Sequence, residues 1–243
     1  MKYFNRYNSF KELTKSLNNI ELKVLGTILY NKIKYQFFNI EINKQIKYPF
    51  LCLSAAIHGS EPSGVTGILK WLEESNIKSL HYKIFPIVNP YGYNFFRRTN
   101  HNRINLNREF NKTNPEREIK LIKRNIKNDF FDVFISFHEN SAKEKEDFYI
   151  YSYPNNNSIK LSQYIIKNIE KEVKIDQRLN IDGYKAKNGL IIDNMGESFE
   201  YYVGKNHAKS SICIEIPSKL SIKYRTKIVK NIINLSENYL LKR

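Results

Sequence analysis

Residues 53–64, LSAAIHGSEPSG, decide how this chain is read. An apolar run stops abruptly at His58, Gly59, Ser60, Glu61 and Pro62. Upstream, residues 49–57 are nearly all apolar, as a strand buried on both faces must be. Downstream, residues 62–74 carry Pro in the first turn and place Val65, Ile68, Leu69 and Leu72 at helical spacing, so a helix follows. The strand-loop-helix unit delivers two potential metal-binding side chains, His58 and Glu61, to a loop mouth.

Working outward, residues 9–18 predict a short helix, and residues 20–29 and 33–42 alternate as an edge hairpin closed near residues 30–32. Further strands are expected at 82–88, 131–137, 148–153 and 210–216, with helices at 115–128, at 158–172 and from Ser221 onward. Residues 89–110 are too rich in Asn and Arg to be core and read as loop. This alternation predicts a single-domain α/β fold, a mixed, mainly parallel sheet with helices on both faces. One domain is expected over 1–243, with an N-terminal helix and edge hairpin in 1–45 and the chemistry-bearing motifs in 50–217. Ligands of such sheets collect at the carboxyl ends of strands, where His58, Asn89, His138 and Glu215 all fall.

Composition excludes disorder and disulfide-dependent folds, because 41% of residues are hydrophobic and 14% aromatic. Cys52 and Cys213 each lie in an apolar run and are expected as buried free thiols, neither ligand nor nucleophile. No membrane-length apolar run or signal-like start is present, so a cytoplasmic protein is expected. A formal charge of +16 raises nucleic acid as a partner. The basic residues are nevertheless spread along the chain, and the densest run, KLIKRNIK at 120–127, keeps Leu121, Ile122 and Ile126 for one helix face. Its charges read as a solvated surface, with no specific nucleic-acid or membrane partner expected.

A hydrolytic zinc site needs three protein ligands and one open position, and His58, Glu61 and His138 meet that count. His138 follows DVFIS as His58 follows LSAAI, so two strand ends can present two imidazoles at one edge of the sheet. The intervening loop gathers Arg97, Arg98, Arg103 and Arg108, guanidinium groups suited to gripping a carboxylate. Glu215, flanked by apolar residues in ICIEIPS, is a carboxylate costly to bury unless paired or used in proton transfer, and so a candidate general base.

These pieces, in this order, resemble the carboxypeptidase A-like zinc metallocarboxypeptidases, within the superfamily that includes succinylglutamate desuccinylase and aspartoacylase. His58/Glu61, NPYGY, Arg98 in RRTN, LNREF, ISFHEN and IEIP correspond in turn to the motifs of that family. The resemblance implies that His58, Glu61 and His138 bind one zinc per chain. It implies that Glu215 takes a proton from the attacking water and passes it to the leaving amine, and that Arg98 stabilises the oxyanion. Asn107 and Arg108 would hold the terminal carboxylate of a peptide or small amide, and Phe199 would lie near the position that reads the substrate's terminal side chain, implying an apolar or small pocket rather than one that selects a basic residue.

Departures from the family pattern are also legible. Asn105 stands where relatives carry an Asp that supports a zinc-binding His, which predicts weaker zinc binding. Arg103 replaces a frequent Gly, and no Tyr stands at the family's capping position; Tyr184, Tyr201 and Tyr202 are candidates, but each reads first as a packing aromatic, so the cap is unassigned. His81 and His207 read as surface or structural, while His101 lies in the Arg-rich loop and is a further candidate to line the site. The preferred reading is a zinc carboxypeptidase. Its alternatives are an N-acyl amino acid amidohydrolase of the succinylglutamate desuccinylase/aspartoacylase type and a non-catalytic basic protein on the same scaffold.

Overall fold

The structure, a computed structural model, describes residues 6–15, 20–30, 32–74, 77, 79–140, 147–192 and 196–242. In chain order the elements are α1 (Arg6–Lys15), β1 (Glu21–Tyr30), β2 (Ile33–Ile42), β3 (Phe50–Ala55), α2 (Ser63–Glu74), β4 (His81–Phe85), α3 (Pro90–Phe95), α4 (Arg117–Ile126), β5 (Phe131–Glu139) and β6 (Tyr149–Ser152). They continue with α5 (Asn156–Ile169), β7 (Asn180–Ile181), β8 (Tyr184–Lys187), β9 (Leu190–Ile192), α6 (Phe199–Asn206), β10 (Ala208–Ile216) and α7 (Ile222–Leu241). The end of the expected first helix, 16–18, lies outside the described residues.

The strands form one sheet in the order β1-β2-β4-β3-β5-β10-β6-β9-β8-β7. The expectation of a mainly parallel sheet is corrected here. Among the described residues five of the nine pairings are antiparallel, and the continuous parallel block is the centre, β4-β3-β5-β10. The reason is local: the β1-β2 hairpin adds to one side through β2-β4, and short strands joined by tight turns extend the other. Short β7–β9 and helices α3 and α6 lie in stretches too brief or too polar to display a clear hydrophobic period.

Alternation along β5 shows how the sheet is covered. Phe137 faces α2, where the Cβ of an alanine at Gly64 would come within 2.8 Å of the Phe137 Cβ. Phe134, three residues earlier and on the opposite face, packs at 4.7 Å between ring centroids against Phe199 of α6. His138 shares the parity of Phe134 and therefore meets α6, not α2. The β3 strand is buried at every position, as its nearly all-apolar run requires, with Ser54 satisfied by Ser136 at 3.0 Å.

Helix α2 also packs on α7 with a backbone so close that a Cβ at Gly67 would lie 2.3 Å from the Val229 Cβ. Gly67→Ala gains helix propensity of about 1 kcal/mol, but overpacking against a β-branched side chain costs about 1–3 kcal/mol. Thermal unfolding of this variant is expected to show a lower Tm than wild type; a raised Tm would contradict the α2-α7 contact.

Candidate active site

The loop after β3 is fastened before any chemistry is considered. Asn89, which opens α3, donates to the carbonyls of Ile57 and Arg98 at 3.4 Å each and accepts from the Gly92 amide at 2.8 Å. Its own amide donates to the Ala56 carbonyl at 2.9 Å. Gly59 rests directly on the Gly92 backbone, with 1.9 Å between a hypothetical Cβ and the Gly92 carbonyl carbon, so no larger residue fits. The Asn-Pro-x-Gly stretch thus clamps the loop carrying His58 and Glu61.

Three side chains converge there. His58 Nδ1 lies 2.8 Å from Glu61 Oε1, and His138 Nδ1 lies 3.1 Å from Glu61 Oε2. The potential ligand atoms of all three fall within 4.8 Å of one another. Neighbouring ligands of a tetrahedral zinc at about 2.1 Å are separated by about 3.4 Å, so the residues fit such an ion after small adjustments. Each imidazole has its far nitrogen already held, as ligating histidines do: His58 Nε2 by Asn105 Oδ1 at 3.0 Å and His138 Nε2 by Glu200 Oε1 at 3.1 Å.

The charges match a cation's place. Burial works against the Glu61 carboxylate, but His58 and His138 overcome it and hold it well below the usual carboxylate range. Burial lowers the His58 imidazole toward the neutral form a metal ligand needs, against the pull of Glu61. Burial also opposes charge on His138, yet Cys213, Glu61 and Glu200 outweigh it and raise it well above an ordinary histidine. Arg98 Nη1 sits 3.0 Å from Glu61 Oε1.

Glu215 lies on β10 directly beside His138 on β5, and a cavity of about 290 Å³ opens over both, bounded also by Arg98, Arg108 and Tyr184. Burial pushes the Glu215 carboxyl up to about 8, with Glu61, Asp182 and Glu200 adding to the rise and His138 opposing it. A dication beside it would pull this value back down.

Several expectations are corrected. Phe199 takes no part in the cavity; it is fully buried, stacked on Phe110 at 4.4 Å and packed against Phe85 and Phe134. Asn107 borders the cavity, but its side chain is committed elsewhere, accepting from the Phe199 amide at 2.9 Å and donating to Glu200 Oε2 at 3.4 Å. It anchors the start of α6, while its neighbour Arg108 also borders the cavity. His101 stacks on Tyr30 and meets Tyr91 edge-on, outside the cavity lining. Among the tyrosines, Tyr184 and Tyr151 border it, whereas Tyr201 packs on Tyr153 and Tyr202 on Phe110. Arg103 takes φ 61°, the left-handed conformation that explains why glycine suits this position.

Sequence reasoning missed Glu200, Asp182 and the placement of Cys213. Glu200 is an acid between Phe199 and Tyr201 in the first turn of a helix capped by Ser198, and its enclosure by aromatics was the available signal. His138, Glu200 and Cys213 form a second group with metal-ligand spacing on the opposite nitrogen of the same imidazole.

Asn105 occupies the supporting position expected of it, and its oxygen also accepts from the Asn107 amide at 3.0 Å. An Asp there keeps both contacts and adds charge. Asn105→Asp is expected to tighten zinc binding about tenfold in a competitive chelator titration; an unchanged Kd would contradict the supporting role.

The sequence profile described as "Succinylglutamate desuccinylase/Aspartoacylase catalytic domain" matches residues 47–241. No match was found among curated proteins. Among solved structures, the chain is similar to a candidate metallopeptidase from Shewanella amazonensis SB2B, with TM-score 0.81, 21% identity and coverage of 97% of this chain and 92% of that one. It is similar to a metallo-carboxypeptidase from Burkholderia cenocepacia, with TM-score 0.72, 14% identity and coverage of 96% and 68%. It also resembles a Pseudomonas aeruginosa metallo-carboxypeptidase in complex with (2-guanidinoethylmercapto)succinic acid, with TM-score 0.72, 13% identity and coverage of 96% and 67%. At these identities the structures establish the fold, and the profile, spanning most of the chain, establishes the family: the protein belongs to the succinylglutamate desuccinylase/aspartoacylase catalytic domain family.

Proposed function

We propose that this protein is a zinc-dependent hydrolase of an amide bond near a free carboxylate, acting on a peptide, as a metallocarboxypeptidase does. The observation that carries the reading is the pairing of the His58/Glu61/His138 group with Glu215 in register on the adjacent strand. Zinc, when bound by those three residues, supplies Lewis-acid chemistry that makes a water nucleophilic near neutral pH.

The remaining work falls to the chain's own groups. Glu215 accepts the proton of the attacking water at a carboxylate oxygen and returns it to the nitrogen of the leaving amine. Arg98, held by Glu61 at the edge of the group, stabilises negative charge developing on the amide oxygen. Arg108, whose Nη1 is oriented by the Asn107 carbonyl at 2.9 Å, takes the substrate carboxylate and fixes the scissile bond beside Glu215. The succinic acid ligand of the Pseudomonas aeruginosa relative supports a carboxylate-bearing substrate.

A second reading, removal of an acyl group from an N-acyl amino acid, is favoured by the family profile. Product analysis on a dipeptide and on an N-acyl amino acid separates the two.

For either substrate, Glu215→Gln is expected to retain zinc while kcat falls about a thousandfold, within the usual range for losing an acid-base group. Loss of zinc together with activity would make Glu215 structural, and unchanged kcat would remove it from the mechanism.

A further inference from the structure

Beyond the proposed reaction, the cavity wall on the Tyr149 side of Glu215, away from the Arg98–Glu61 contact, carries a feature no metal requires. Glu215 has His138 as its register partner on one side and Tyr149 on the other. The arginine side is tied to the metal group through the contact of Arg98 with Glu61. On the Tyr149 side, the hydroxyls of Tyr149 and Tyr151 both donate to Asp182 Oδ2, at 2.9 and 2.7 Å.

Asp182 belongs to the tight β7-β8 hairpin, in which Ile181 pairs with Tyr184 and the two loop residues, Asp182 and Gly183, have φ 53° and 85°. Both positive values mark a turn in which Asp-Gly is a favoured pair. The turn explains the residue's presence. Asp182 is itself exposed, but the two buried phenols fix its carboxylate where it borders the cavity with Glu215 and Tyr184. Among the described residues no lysine or arginine pairs with it.

We infer that Asp182 is a specificity-determining residue that receives a primary ammonium group of the substrate, so that the cavity selects amides carrying both a carboxylate and an ammonium. The arginine side takes the carboxylate, and Asp182 takes the cation on the far side of Glu215. A substrate anionic at both ends, such as an N-acylated acidic amino acid, meets like charge at Asp182 and is disfavoured. The ammonium is either a free N-terminal amine or a lysine-type side chain. The inference rests on the proposed amide-bond site for its substrate, but its binding arm does not depend on hydrolysis.

The test uses alanyl-lysine, alanyl-norleucine and their N-acetylated forms, with wild type and Asp182→Asn. Asn-Gly keeps the turn, and the Asn side-chain oxygen still accepts from the phenols, so this variant removes charge alone. Dissociation constants are measured on the zinc-free protein, where the peptides remain intact, and kcat/KM on the zinc-supplied protein. Wild type is expected to prefer an ammonium-bearing peptide over its neutral counterpart about fivefold or more, and Asp182→Asn to lose that preference while handling neutral peptides unchanged. Preference tracking the acetylation assigns the N-terminal amine; preference tracking lysine against norleucine assigns the side chain. Equal losses for charged and neutral peptides, or no preference in wild type, would overturn the inference. Ammonium-selective binding without hydrolysis of any peptide would sustain it while removing the proposed peptidase activity.

Discussion

Glu61 holds a carboxylate in a place 6% exposed to solvent, between two imidazoles, and the rest of the site is arranged around that fact. A buried carboxylate is costly unless paired. Here His58 and His138 take its two oxygens, the Glu139 amide adds a contact at 3.3 Å, and Arg98 approaches from the cavity. Glu200 adds a second buried carboxylate behind His138. A cluster so rich in negative charge and nitrogen donors is stable only around positive charge, and protons and arginine can supply it as a metal would.

The sheet's central block makes this arrangement possible. Adjacent parallel strands β3, β5 and β10 end at the same edge, so His58, His138 and Glu215 arrive together although they are far apart in sequence. The Asn89 and Gly92 clamp fixes the loop, and Asn107 ties α6 to the arginine segment so that Glu200 reaches His138. The antiparallel strands beyond β10 contribute differently: they bring Tyr149, Tyr151 and Asp182 to the cavity's outer wall.

Much of this was legible in the sequence because strand-end histidines leave a strong local pattern, an apolar run that breaks at a polar side chain. The α2 and α7 helices, the hairpin of β1 and β2, and the convergence of His58, Glu61 and His138 all follow from such patterns. Asn105 was legible too, since its role depends on spacing from the Asn-Arg pair. What escaped depends on tertiary packing. Phe199 and Glu200 are neighbours whose side chains leave α6 in different directions, one into the aromatic core and one onto His138, and no periodicity reveals which does which. The short strands beyond β6 were missed for the same reason, and with them the antiparallel share of the sheet: strands as short as β7 and β9 do not announce their partners.

Zinc K-edge X-ray absorption on the purified, zinc-supplied protein tests the central claim most directly, because two ligand groups share His138. The account predicts about one zinc per chain with nitrogen and oxygen neighbours at about 2.0–2.2 Å and no sulfur in the first coordination sphere. A sulfur neighbour at about 2.3 Å would place the metal with Cys213 and Glu200 instead, and absence of bound zinc would contradict the metal site altogether.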